Sequence, residues 1–190
     1  MSTRLENLLG ALAVALSDSL SAEATGAAGH AGAMGAALTV LAQEPGLGIE
    51  QLKVPLGLTQ SATVRIVDRL VADGYAERRA GSDQRRVAIF LTEQGMTAAT
   101  AVLDGRRDLL HAAVTALEPG ERQALEGMLD KLLTAVTTDF FQAERTCRLC
   151  DLAVCPPRIC PVELAGGGPP SPQRQPRPRA VPPDRRRPPA

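Results

Sequence analysis

The stretch LTQSATVRIVDRLVADGYAERRAGSDQRRVAIFLTEQG, residues 58–95, changes its periodicity halfway along, and that change decides the fold. From Thr59 to Gly74 the period is helical. Thr59 can cap; Ala62, Thr63, Ile66, Val67 and Leu70 share one face; Gly74 terminates. The opposite face carries Ser61, Val64, Arg65 and Asp68, with Gln60 and Arg69 on its flanks. After Gly74 the period falls to two: Tyr75 to Ala80, a Gly81-Ser82-Asp83-Gln84 turn, Arg85-Arg86, then Val87, Ile89 and Leu91 alternating with Ala88 and Phe90. This predicts a two-stranded hairpin directly after a helix with one core face and one free face.

Upstream, residues 3–25 read as a helix, because Leu5, Leu8, Leu9, Leu12, Leu16 and Leu20 recur at three- and four-residue steps. A second helix runs from about Met34 to Gln43 and stops at Pro45-Gly46. A short helix follows over Ile49–Val54, with Pro55 expected to cut it off and Gly57 to make the turn. Downstream, two long helices are expected, 93–117 and 119–146, separated by Glu118-Pro119-Gly120-Glu121. Their apolar stripes, together with the first leucine stripe, exceed what so small a domain can cover, so a helical homodimer interface is predicted. The fold class is mainly α with a small β-hairpin wing.

Short helix, tight turn, second helix with a free polar face, then a hairpin with arginines at its tip is the order of a winged helix-turn-helix, whose second helix lies in the major groove of duplex DNA. The residue types suit that task. Arg65 presents a planar fork to a guanine edge, Gln60 and Ser61 donate to and accept from base edges, and Val64 meets a thymine methyl, with Arg69 beside them. Arg85 and Arg86 suit the narrow, electronegative minor groove. Asp68, Asp73 and Glu77 are expected to form surface bridges with neighbouring arginines such as Arg69 and Arg78.

LTQSATVRIVDRLVADGYAERR (58–79) followed by SDQRRVAIFLTEQG (82–95) resembles the MarR-type winged-helix family, strongly over 58–95 and in helix order from about 5 to 145. The resemblance implies a homodimeric bacterial repressor or activator on a pseudo-palindromic operator, released by a small ligand or oxidant. It also implies a minor-groove role for Arg85, through the wing pattern Asp83-Gln84-Arg85.

Charge at first argues against DNA. The 190 residues hold 21 Lys plus Arg and 21 Asp plus Glu. Yet residues 59–92 carry six Arg against four acids, and residues 166–190 carry six Arg against one acid, leaving the rest of the chain at −7. Nine prolines also fall in those last 25 residues, so 163–190 is expected to be a disordered Pro/Arg-rich tail. The apolar start, Leu8 to Leu16, could mimic a secretory signal, but Glu6 and the helical stripe favour a packing helix. A cytoplasmic protein with reduced thiols is expected.

In that setting the four cysteines stand out: Cys147, Cys150, Cys155 and Cys160 share one 14-residue segment, within a region set at 147–162 after a winged-helix domain at 1–146. Such clustering points to a metal, either tetrahedral zinc or an iron–sulfur cluster, or to an unmetallated thiol or disulfide set. The C-x2-C pair favours zinc; prolines after Cys155 and Cys160 favour iron–sulfur. His30 and His111 stand apart, and no nucleophile–base set or phosphate loop is present, so no enzyme is predicted. The expected function is a DNA-binding regulator, most simply a repressor, modulated by metal, redox state or a small ligand; the alternatives are a winged-helix adaptor that holds protein partners around a structural metal site and a dedicated metal- or redox-responsive switch.

Overall fold

The computed structural model describes residues 3–28, 32–80 and 87–167, the side chains of 21–28 excepted. The order is α1 (Arg4–Ala28), α2 (Ala33–Gln43), α3 (Ile49–Leu56), α4 (Gln60–Ala72), β1 (Ala76–Ala80), β2 (Val87–Leu91), α5 (Glu93–Val114), α6 (Pro119–Val136), α7 (Phe140–Cys147) and α8 (Pro161–Gly166). It is a mainly helical winged-helix fold with one antiparallel hairpin.

One core joins the elements around α4. Leu38 and Leu41 of α2, Leu52 and Leu56 of α3, Val67 and Leu70 of α4, Ile89 of β2 and Ala99 of α5 pack as a single buried cluster. Each large aliphatic buried there contributes about 1.5–3 kcal/mol. The N-cap of α4 is Thr59, whose hydroxyl accepts from the Ala62 N–H at 3.3 Å, as expected from the sequence.

The helix before it runs farther than expected. Pro55 does not stop α3, which continues to Leu56 with the Pro55 ring buried inside it. A proline in the last turn forfeits only one helical N–H, and Gly57, at φ 64°, closes the end by donating to Val54 O at 3.1 Å while Leu58 donates to Lys53 O at 3.2 Å.

The hairpin pairs Ala76 with Leu91 and Ala80 with Val87. A third backbone segment joins it: the Ile89 N–H donates to Leu47 O at 3.0 Å, and the Gly46 N–H donates to Ile89 O at 2.9 Å. A single bridging residue has no periodicity, so no sequence pattern announces it. Into α5 the chain turns on Thr92, whose hydroxyl donates to Gly74 O at 2.7 Å and accepts from the Gly95 N–H at 3.1 Å.

The expected helix over 119–146 is in fact two. Thr137 leaves helical geometry at φ −90°, ψ 114°, and Asp139 restarts the chain as N-cap of α7, accepting from the Gln142 N–H at 2.9 Å. Gln142 fastens the corner, with its Nε2 donating to Val136 O at 2.7 Å and its Oε1 accepting from the Thr138 N–H at 3.0 Å. Short polar side chains that bond nearby backbone compete with a continuous helix, and Asp139 followed three residues later by Gln142 is a helix-start pattern within the apolar stripe. The break lets α7 fold back onto α3 and α8. Helix α8 also carries Glu163 to Gly166 into the folded part.

Two consequences are measurable. A Cβ on Gly95 would lie 1.9 Å from the Tyr75 carbonyl oxygen, a backbone atom that cannot step aside. Gly95→Ala should therefore lower unfolding stability by roughly 1–3 kcal/mol, seen as a lower denaturant midpoint. An unchanged midpoint would show that the α4–α5 junction is not this tight. The Asp139 carboxyl is held below its ordinary value, first by the Gln142 N–H and then by the Thr138 hydroxyl, against the opposing effect of desolvation. Its stabilising contribution is present above the unfolded carboxylate value and lost as pH falls through the lowered folded value. Acid unfolding of Asp139→Ala should accordingly depend less on pH in that window than does the parent chain.

Candidate nucleic-acid interface

The rotation of α4 is fixed by what it buries. Thr63, Val67 and Leu70 are fully enclosed, and the Thr63 hydroxyl donates to Thr59 O at 3.0 Å, so its polar atom is satisfied inside the core. The other side is open. Gln60, Ser61, Arg65, Asp68 and Arg69 are exposed and Val64 is half-buried, as the sequence places them. The Ser61 hydroxyl lies 3.2 Å from that of Thr59.

Among the described residues Arg65 enters no ion pair, which leaves its guanidinium available to a ligand. Arg69 is different: its Nε bonds Asp73 Oδ2 at 2.7 Å, one helical turn on. It can reach a phosphate only by giving up or sharing that partner. Asp68 pairs with Arg78 of β1 at 2.6 Å, and Glu77 pairs with Arg79. The bridge expected for Asp68 is therefore formed, and it has a second effect. It ties the helix to the wing and neutralises the one carboxylate on the free face of α4.

The wing adds a cation that periodicity alone does not single out. The Arg79 guanidinium carbon sits 4.8 Å above the centre of the Phe90 ring, an arrangement that holds an exposed arginine to the hairpin surface. The adjacent residues Glu77-Arg78-Arg79, two cations beside one acid on a strand, are the available signal. Arg85 and Arg86, expected at the wing tip, lie outside the described residues, as does His30. His111 is exposed near the end of α5.

The cysteines gather on the far side of α3. Cys147 ends α7 and Cys160 caps α8; both are buried, with their sulfurs 4.0 Å apart. Half-buried Cys150 and Cys155 and Leu133 of α6 pack against the same small core. All four are free thiols. Hydrogen bonding with Cys150, burial and the neighbouring Cys150 and Cys160 charges push the Cys147 thiol upward. Burial first, then Cys160, pushes Cys155 up to about 12. Among the described residues no three His, Cys, Asp or Glu side chains are already arranged to hold a metal ion.

The arrangement is a winged helix-turn-helix with an open, cation-bearing second helix, an element that many winged-helix proteins lay in the major groove of duplex DNA. Residues 35–86 match the family model described as MarR family. The chain is 34% identical over 99 residues to the HTH-type transcriptional regulator PetP of Rhodobacter capsulatus, a match covering 50% of this chain and 60% of PetP. It is 34% identical over 85 residues to the transcriptional repressor MprA of Escherichia coli, covering 44% of this chain and 48% of MprA. The chain thus spans about half to three fifths of the length of these curated relatives. Among solved structures, a mutant of S. aureus MepR bound to an oligodeoxyribonucleotide aligns with a TM-score of 0.55 at 18% identity, covering 71% of this chain and 99% of MepR. The winged helix of this chain is thus similar to those of MarR-type proteins over its recognition helix and hairpin.

Proposed function

We propose that the protein is a sequence-specific DNA-binding transcriptional regulator, acting in the cytoplasm as a homodimer on a pseudo-palindromic operator. The observation that carries this reading is the division of α4. Its inner face is locked by Thr63, Val67 and Leu70, and its outer face offers Gln60, Ser61, Val64 and an Arg65 that forms no ion pair among the described residues. Laid into a major groove, that face reads base edges, while the hairpin follows the backbone toward the flanking minor groove. The MarR-type match supports the same use, and the repressor MprA supports repression as its direction. A small effector that loosens the dimer's grip on DNA completes the reading.

Dimerisation is supported by aliphatic surface that the single chain leaves in water. Leu5, Leu8, Leu9 and Leu12 of α1 and Met128, Leu129, Leu132 and Val136 of α6 are all exposed, and α6 has no buried residue. Contiguous apolar surface of this kind marks an interface. Among the described residues no helix is long and apolar enough to cross a membrane.

The test is affinity for the DNA upstream of the protein's own reading frame, measured against a scrambled duplex at several salt concentrations. Arg65→Ala should cost about 1–3 kcal/mol on the preferred site and flatten the preference between sites; Arg85→Ala should weaken both duplexes alike and reduce the salt slope by about one. Equal binding of both duplexes by the parent protein would replace this reading with the adaptor. Sedimentation of the parent should give a dimer, and Leu12→Glu combined with Leu132→Glu should shift it toward monomer. A monomeric parent at micromolar concentration would remove the homodimer.

A further inference from the structure

In the segment from Cys147 to Cys160 two of the four large aliphatic residues are left exposed while the thiols turn inward. Its aliphatic residues Val154 and Ile159 are 73% and 69% exposed, whereas Cys147 and Cys160 are 6% and 5% exposed and the other two thiols face the same core. Between α7 and α8 the chain forms only turns, with the Cys150 N–H donating to Cys147 O at 2.9 Å and the Cys155 N–H to Asp151 O at 2.9 Å. Leu152 is its one buried large aliphatic. A free thiol buries like a small hydrophobe, but that alone does not explain why all four sulfurs meet at one small core while the larger Val154 and Ile159 stay exposed. A segment that instead converges four sulfurs is organised around sulfur chemistry.

We propose that Cys147, Cys150, Cys155 and Cys160 bind one zinc ion per chain as a tetrahedral all-thiolate site that braces α7 and α8 against α3. The ligand set is complete, since a structural zinc site takes four sulfur or nitrogen donors. The spacing fits as well. Zinc–sulfur bonds of about 2.3 Å place the sulfurs of a tetrahedron about 3.8 Å apart, and the Cys147 and Cys160 sulfurs are already separated by 4.0 Å. A four-iron cluster would hold one cysteine on each iron and spread them more widely. The pair fixed by the helix ends forms one edge of the site, and rotation of Cys150 and Cys155, each on a turn and only half-buried, closes it.

The surroundings connect such a site to the rest of the fold. Gln43, the last residue of α2, donates from Nε2 to Cys150 O at 3.0 Å and accepts from the Leu152 N–H at 2.7 Å, clamping the cysteine loop to the helix that precedes α3. Helix α7 lies on α3, and Arg145 covers the Gly57 turn so closely that a Cβ there would lie 2.8 Å from its Cδ. Outer-shell bonds of this kind orient a site's ligands. The metal assignment does not depend on the DNA reading, because its primary measurement involves no DNA.

The experiment is elemental analysis of the full chain, prepared anaerobically with reductant and zinc, together with cobalt(II) titration of chelator-treated protein. The expected result is one zinc per chain and, with cobalt, the intense visible absorption of a tetrahedral thiolate complex saturating at one equivalent. Cys147→Ser and Cys160→Ser should each abolish tight uptake, and zinc should slow amide exchange in α7, α8 and α3. Titration of the parent protein needs no variant to fold. Protein that takes up neither metal would overturn the proposal. So would a coloured iron–sulfur chromophore, or a Cys147–Cys160 disulfide in the anaerobic preparation.

Discussion

The rotational setting of α4 is the constraint on which the remaining architecture depends. Val67 and Leu70 share one buried cluster with Leu38, Leu41, Leu52 and Ile89, Thr63 is buried on the same face, and no other face of the helix could replace them. Turning the helix by one residue, about 100°, would carry Asp68 or Arg69 toward an apolar core, where an unpaired charge costs several kcal/mol. The same burial that stabilises the domain therefore aims Gln60, Ser61 and Arg65 outward. Specificity of orientation comes from packing, not from the residues that face the ligand.

This is also why α4 and its hairpin are the most legible part of the sequence. A helix with one buried face and a strand pair with a buried side each write their period into the chain, and Thr59 and Gly74 mark the limits. Features without a period are the ones that escape. The Leu47 bridge rests on a single residue. Pro55 is a weaker stop than its ring suggests, because a proline penalty assumes a helix that continues for several turns, whereas α3 ends one residue later. The corner at Thr137 to Asp139 lies inside a continuous aliphatic stripe, and the stripe hides a short capping signal that determines where α7 goes.

Charge requires the structure to be interpreted. A zero total divides into a positive region over α4 and the hairpin and a negative remainder, but Asp68 sits on the same exposed face as Arg65. Its pairing with Arg78 resolves the conflict locally, and because Arg78 is on β1 the same contact joins helix and wing. Exposed pairs contribute little to stability, typically under about 1 kcal/mol. The contribution of this one lies in register between helix and hairpin, and in neutralising the carboxylate on the exposed face of α4.

The cysteine segment obeys a different logic from the domain it follows. In the winged helix, aliphatic residues go in and polar residues come out; between α7 and α8, sulfur goes in while Val154 and Ile159 come out. The corner at Asp139 makes this arrangement possible, since a straight helix through 146 would carry Cys147 away from α3, whereas the folded-back α7 brings it against Leu133 and within reach of the loop held by Gln43. The two bonds of Gln43 matter here because they attach an irregular segment to the rigid end of α2, just before the helix that supports α4. The cysteine segment thus adjoins α7, which packs on α3, and α3 in turn packs on α4 with its exposed Arg65, so the two regions share one mechanical frame without sharing a residue.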